Sequence, residues 1–177
     1  MIKRNRLKLL LSGFLLLPGM IFAQQLPYRQ SSLPISERVD DLLGRMTLEE
    51  KIAMIHAAGL FRSGAVKRLN IPSLVMSDGP SGVRQEFEND SWTPIDDTTD
   101  FVSWLPSNTC LCTTWNPNLA RKFGKVLGDE ARGRGKDVIL APGINIKRTP
   151  LCGRNFEYMS EDPHLTGRIA APLVQGI

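Results

Sequence analysis

The sequence predicts an α/β fold, and three observations carry that expectation. Leu119, Phe123, Leu127 and Ala131 recur at helical spacing, and a short β-prone run at 138–141 follows directly. Leu74-Val75-Met76 forms a second strand-like run that enters the bend Ser77-Asp78-Gly79-Pro80. Both runs lead into loops dense in polar residues, and in parallel α/β folds the C-terminal ends of strands are where ligands bind.

The elements follow in chain order. Lys3, Arg4, Arg6 and Lys8, the apolar run 9–17 and Ile21-Phe22-Ala23 have the order of a secretory signal cleaved before Gln24. Its apolar run is about nine residues, against the ~20 that span a bilayer, so a cleaved leader is expected and no membrane anchor after it. No cysteine follows the apolar run to carry a lipid. The leader holds four basic residues and no acid, so the formal charge of +4 falls to about zero after cleavage. The pI of 9.1 belongs largely to the leader. A nucleic-acid partner therefore loses its electrostatic support.

Residues 24–34 are polar and read as an extended lead-in. Ser36 is expected to cap a helix with the stripe Val39, Leu42, Leu43 and Met46. Thr47-Leu48-Glu49-Glu50 is a capping box that starts a second helix, with Leu48, Ile52 and Ile55 on one face and His56 packing. Residues 85–106 are acidic and irregular, with Glu86, Glu88, Asp90, Asp96, Asp97 and Asp100 around Trp92 and Trp104. A loop of that length is either a solvated excursion or functional, its tryptophans then walling a binding site. Asn116-Pro117 opens a helix that Gly133 and Gly135 end. Asp162-Pro163 opens another, with Leu165, Ile169 and Leu173 on its stripe, and Pro172 is expected to kink or end it.

Several chemistries are excluded by motif. There is no GxGxxG, GxxxxGK[ST] or GxSxG, which removes nucleotide binding and the serine-hydrolase elbow. Two histidines without HExxH assign no metal, and no other cofactor is expected. Cys110, Cys112 and Cys152 allow a bridge from one of the first two to Cys152, or free thiols. The segment 138–163 suits a polyhydroxylated ligand instead. Its Asn, Arg and Glu side chains bond vicinal hydroxyls, and Phe or Tyr covers the apolar side of a ring.

RMTLEEKIAMI (45–55), LVMSDGPSGVR (74–84), WNPNLARKFGKVLGDEARGRGKDVILAPGINIKR (115–148) and GRNFEYMSEDP (153–163) occur in that order. This series resembles the N-terminal domain of family 3 glycoside hydrolases, the secreted β-glucosidase type, from near Ser36 to the last residue. The resemblance implies a TIM-type (β/α)8 barrel. About 154 residues follow the leader, against roughly 250 for a whole barrel, so 24–177 is expected to be an incomplete N-terminal portion of it.

The resemblance also implies roles. Asp78 matches a carboxylate that holds sugar hydroxyls, although a turn Asp would occupy the same bend. Arg84, Arg132, Arg154 and Glu157 match other positions of the sugar site. For Arg132 a helix C-terminal dipole is a competing explanation, and for Arg154 and Glu157 a structural ion pair is. Lys147 and Arg148 are placed to reach the cleft or the acidic loop. The nucleophilic Asp and the acid/base are expected beyond Ile177, so no catalytic residue is assigned within the chain. The expected partner is a β-glycoside or oligosaccharide. The alternatives are a β-xylosidase, another sugar specificity of the family, or a non-catalytic carbohydrate-binding fragment.

Overall fold

The computed structural model describes residues 26–88 and 91–177; the expected leader and Asp90 lie outside them. The chain forms two compact units, one ending at Arg45 and one running from Met46 to Ile177. In the first, a 3-10 turn (Pro27–Arg29) packs against α1 (Ile35–Arg45). Tyr28 is buried there: its N–H donates to Asp41 Oδ2 at 3.2 Å and its carbonyl accepts from Arg38 Nε at 3.2 Å. The helix begins at Ile35, so Ser36 lies inside the first turn and is not the cap.

The second unit opens with α2 (Leu48–Met54) and its predicted capping box. Glu50 N–H donates to Thr47 Oγ1 at 3.2 Å, and Thr47 N–H donates to Glu50 Oε2 at 3.0 Å. Leu48, Ile52 and Ile55 stay exposed. The helix stops at Met54, so His56 does not pack: it is exposed, with Nδ1 2.9 Å from its neighbour's carbonyl. Next comes the antiparallel hairpin β1 (Ala57–Gly59) and β2 (Arg62–Ser63).

β3 (Met76–Asp78) starts two residues later than the apolar run suggests. The chain continues through α3 (Asn108–Cys112), α4 (Pro117–Gly133), β4 (Val138–Leu140), a 3-10 turn (Asn155–Glu157) and α5 (Pro163–Gly176). β3 and β4 are parallel, with Met76 opposite Val138, Ser77 opposite Ile139 and Asp78 opposite Leu140. At the N-terminal end of the pair, Asp137 N–H donates to Val75 O at 2.8 Å and Val75 N–H donates to Asp137 Oδ2 at 2.9 Å.

α4 carries the core. Ala120, Phe123, Leu127 and Ala131 are buried, whereas Leu119 is exposed at the rim. Ala120 and Phe123 join Leu111, Cys112, Met159, Ile169 and Leu173; Leu127 and Ala131 join Val83. α4 and α5 meet almost backbone to backbone. A Cβ on Gly124 would lie 2.0 Å from Leu173 O, and one on Gly176 would lie 2.2 Å from Arg121 O. α5 continues through Pro172 to Gly176, so the proline does not end the helix. Proline there removes one helical donor, while Ile169 and Leu173, both buried, hold that face against α4.

The acidic segment is an anchored excursion. Phe87 bridges Pro94 across its arms, and Arg134 reaches Asp100 at 2.6 Å. Ser103 N–H donates to Glu130 Oε1 at 3.0 Å, and Leu105 N–H donates to Ser81 O at 2.8 Å. All three cysteines are free thiols, Cys112 buried and the other two exposed.

Candidate functional site

Asp78 ends β3 beside Leu140, at the C-terminal end of the parallel pair. The backbone then folds back sharply. Gly79 (φ 140°) and Gly82 (φ 143°) occupy the region that L side chains avoid. A Cβ on Gly79 would lie 1.6 Å from Gly82 O, and one on Gly82 would lie 2.3 Å from Ser103 O. Arg84 N–H closes the bend onto Asp78 O at 3.1 Å. The glycine spacing of DGPSG is therefore a geometric requirement, and it leaves the Asp78 carboxylate exposed above the strand. Among the described residues its Oδ1 accepts only a local bond, from Gly79 N–H at 3.0 Å.

Two lobes of a cleft meet at Asp78 and Pro80. The polar lobe is walled by Gly143, Asn145, Arg154, Glu157 and Tyr158. Gly143 pairs with Tyr158 as a parallel bridge, and Asn145 Nδ2 donates to Tyr158 Oη at 3.0 Å. Glu157 is buried, and its backbone carbonyl accepts from Asn108 Nδ2 at 2.9 Å. Its carboxylate takes the Nε–H of Arg154. That bond and the charge of Glu157 raise the Arg154 guanidinium above its usual range, with smaller additions from Tyr158 and Asp78. The apolar lobe is walled by Val83, Val102, Trp104 and Phe156, with Arg84 at its edge.

Asp78, Arg154 and Glu157 thus line one lobe, and Arg84 lines the next. The Arg84 guanidinium carbon sits 3.7 Å from the Phe61 ring centroid, 4.4 Å from that of Phe87 and 4.9 Å from that of Trp92. Burial lowers its pKa, and the charges of Asp78 and Glu86 oppose that shift.

Arg132 is not brought to these lobes. Its exposed side chain pairs with Asp137 at 3.8 Å, at the N-terminal end of β4 and away from the Asp78 end. The last turn of α4 places it there, where a cation meets the helix carbonyl end. Lys147 reaches neither the cleft nor the acidic loop, because its Nζ donates to Thr109 Oγ1 at 2.5 Å. Trp92 turns to Arg84, so of the two loop tryptophans only Trp104 lines the cleft. Sequence reasoning missed Pro142 and Gly143 as wall residues, while Phe156 is the phenylalanine of the 138–163 segment expected to offer a ring face. The Pro-Gly break after the strand was the available signal for the first two.

Residues 42–177 match the family model described as the glycosyl hydrolase family 3 N terminal domain. The chain belongs to glycosyl hydrolase family 3. It is 51% identical over 150 residues to beta-glucosidase BoGH3A of Bacteroides ovatus, covering 85% of this chain and 20% of that protein. It is 38% identical over 133 residues to an exo-alpha-(1->6)-L-arabinopyranosidase of Bifidobacterium longum, covering 75% of this chain and 17% of that protein. Among solved structures, beta-glucosidase 3B from Thermotoga neapolitana in complex with glucose superposes with a TM-score of 0.69 at 38% identity. That match covers 78% of this chain and 21% of the other. The chain thus spans about a fifth of the length of these relatives. The β3–α4–β4 unit is accordingly part of the TIM barrel of this family.

Proposed function

We propose that this chain supplies the sugar-binding part of an exported, exo-acting, retaining β-glucosidase. The observation that carries the reading is Asp78, exposed at a strand's C-terminal end and facing the lobe walled by Arg154 and Glu157. A carboxylate accepts from two vicinal hydroxyls at once, and charge-assisted bonds of this kind are the strong ones. Glu157 spends one oxygen on Arg154, which fixes that guanidinium as a donor toward the same lobe. Trp104 and Phe156 offer ring faces for the apolar side of a pyranose. The names of the relatives and the glucose held by the Thermotoga neapolitana protein support the same substrate class.

Retaining hydrolysis needs a nucleophile and an acid/base about 5 Å apart. Glu157 has one oxygen committed to the Arg154 guanidinium, so it serves the wall of the lobe rather than proton transfer. Asp78 and Glu157 are therefore assigned to binding, and both catalytic carboxyls to positions beyond Ile177. Export rests on the order of residues 1–23.

The test is release of p-nitrophenol from β-glucoside and β-xyloside by the protein at native length, with NMR of the first sugar anomer. Faster β-glucoside turnover with the β-anomer appearing first is expected. Preference for the xyloside would transfer the assignment to a β-xylosidase. Glucose binding without any turnover would leave a carbohydrate-binding protein. Exported material should begin at or near Gln24, and finding Met1 on it would remove the cleaved leader.

A further inference from the structure

Arg84 is enclosed in an unusual way for a cation. Its Nε and Nη1 are buried and have no hydrogen-bond partner among the described residues. In their place stand three aromatic faces. Trp92 meets Phe61 edge-on at 5.7 Å and 87°, and meets Phe87 at 6.0 Å and 75°, so the rings brace one another. They come from two separate hairpins. Phe61 sits in the turn between β1 and β2, and its carbonyl accepts from Met76 N–H at 2.9 Å, on the strand that carries Asp78. Phe87 and Trp92 stand on arms joined by Glu88 N–H to Thr93 O at 3.1 Å and Ile95 N–H to Glu86 O at 3.0 Å.

Arg134 shows how an anchoring arginine behaves here. It spends its donors on Asp100 and on the Phe101 carbonyl, both at 2.6 Å. Arg84 instead rests against π faces, which attract a guanidinium without consuming its N–H groups. The same residue lines the lobe that Asp78 borders.

We infer that Phe61, Phe87 and Trp92 are positioning residues, an aromatic box that fixes the Arg84 guanidinium beside Asp78 for substrate recognition. This rests on the proposed sugar-binding role of Arg84. Ring faces fix the plane of the guanidinium and leave its charge for the ligand. A lysine in the same box lacks the planar fork and does not replace it.

The experiment is a double-variant cycle on the protein at native length. KM and kcat for p-nitrophenyl β-glucoside and Kd for glucose are measured in Trp92→Phe, Trp92→Leu, Arg84→Met and the Trp92→Leu/Arg84→Met pair. Trp92→Leu should raise KM and Kd about fivefold or more with kcat nearly unchanged, and Trp92→Phe should restore both to within about twofold. In the Arg84→Met background Trp92→Leu should add nothing. Additive losses in the cycle, or equal losses in Trp92→Phe and Trp92→Leu, would overturn the box. If the unsubstituted protein neither binds glucose nor turns over a glycoside, the proposed function falls and the box is judged separately. The indole N–H NMR signal of Trp92, assigned by its loss in Trp92→Phe, should then shift on Arg84→Met; an unchanged signal overturns it.

Discussion

Asp78 is positioned by its backbone and its carboxylate is open to solvent, since among the described residues that carboxylate accepts from the adjacent Gly79 N–H alone. Asp78→Ala in the protein at native length should therefore leave the melting temperature nearly unchanged. It should cost roughly 2–4 kcal/mol in kcat/KM, because an ionised partner of the substrate is lost. Wild-type kcat/KM in a folded Asp78→Ala variant would return the residue to a purely conformational role. The neighbourhood of Asp78 was legible because motif and geometry coincide: glycines that permit φ near 140° lie one and four residues after it. Arg132 was ambiguous because a basic residue at a helix end has two explanations, and its Asp137 contact sets it apart from the residues of the cleft. The surroundings of Arg84 were not legible at all. Phe61 and Trp92 reach it from different hairpins, and no local spacing reports such a contact.

At the level of elements, helix boundaries followed caps closely. Thr47, Asn116 and Asp162 each accept a backbone N–H where the polar residue stands before the apolar stripe. The short α3 went unseen, because five residues carry too little periodicity. The α4–α5 contact gives a sharp test. Gly124→Ala should destabilise the fold by about 1–3 kcal/mol, since its Cβ meets the Leu173 carbonyl. Gly167→Ala, with no atom within 4 Å of the new Cβ, should instead stabilise by about 0.5–1 kcal/mol. Equal melting temperatures for the two variants would contradict this packing.

The acidic excursion has its own pH dependence. Burial raises the Asp100 pKa, but the Glu86 N–H at 2.6 Å and the bond and charge of Arg134 outweigh it, so the folded value lies below the ordinary one. Stability from this contact is full above the unfolded value of about 3.9 and is lost as pH falls through the depressed folded value. Limited proteolysis of residues 85–106 should thus stay slow at neutral pH and accelerate only below about pH 3.9. Asp100→Asn should be cut readily at pH 7, and a variant as resistant as wild type would dismiss the clamp.

For the whole molecule, the α/β class was legible from apolar periodicity, while the way exposed faces are covered was not. Leu48 is 67% exposed and Ile55 85%, and both hairpin and parallel pair present open edges. Such surfaces attract partners of any kind. Residues 24–177 prepared alone should self-associate and bind a hydrophobic dye, and Leu48→Lys with Ile52→Lys should reduce both. A monomeric preparation with no dye binding would show these faces to be satisfied.

The Asp137–Val75 staple has one more consequence. Pairing between two short strands is a reading frame, and here a single residue marks where it starts. A slip of one position would set Ser77 against Leu140 and send the Asp78 carboxylate to the other side of the sheet, leaving every atom of the proposed sugar-binding residues intact but misdelivered. A frameshift of this kind is invisible to any inventory of contact residues. Asp137→Ala should weaken glucose binding although Asp137 lies at the far end of the strands, and an unshifted set of backbone amide signals around Asp78 in that variant would show that the frame is held by something else.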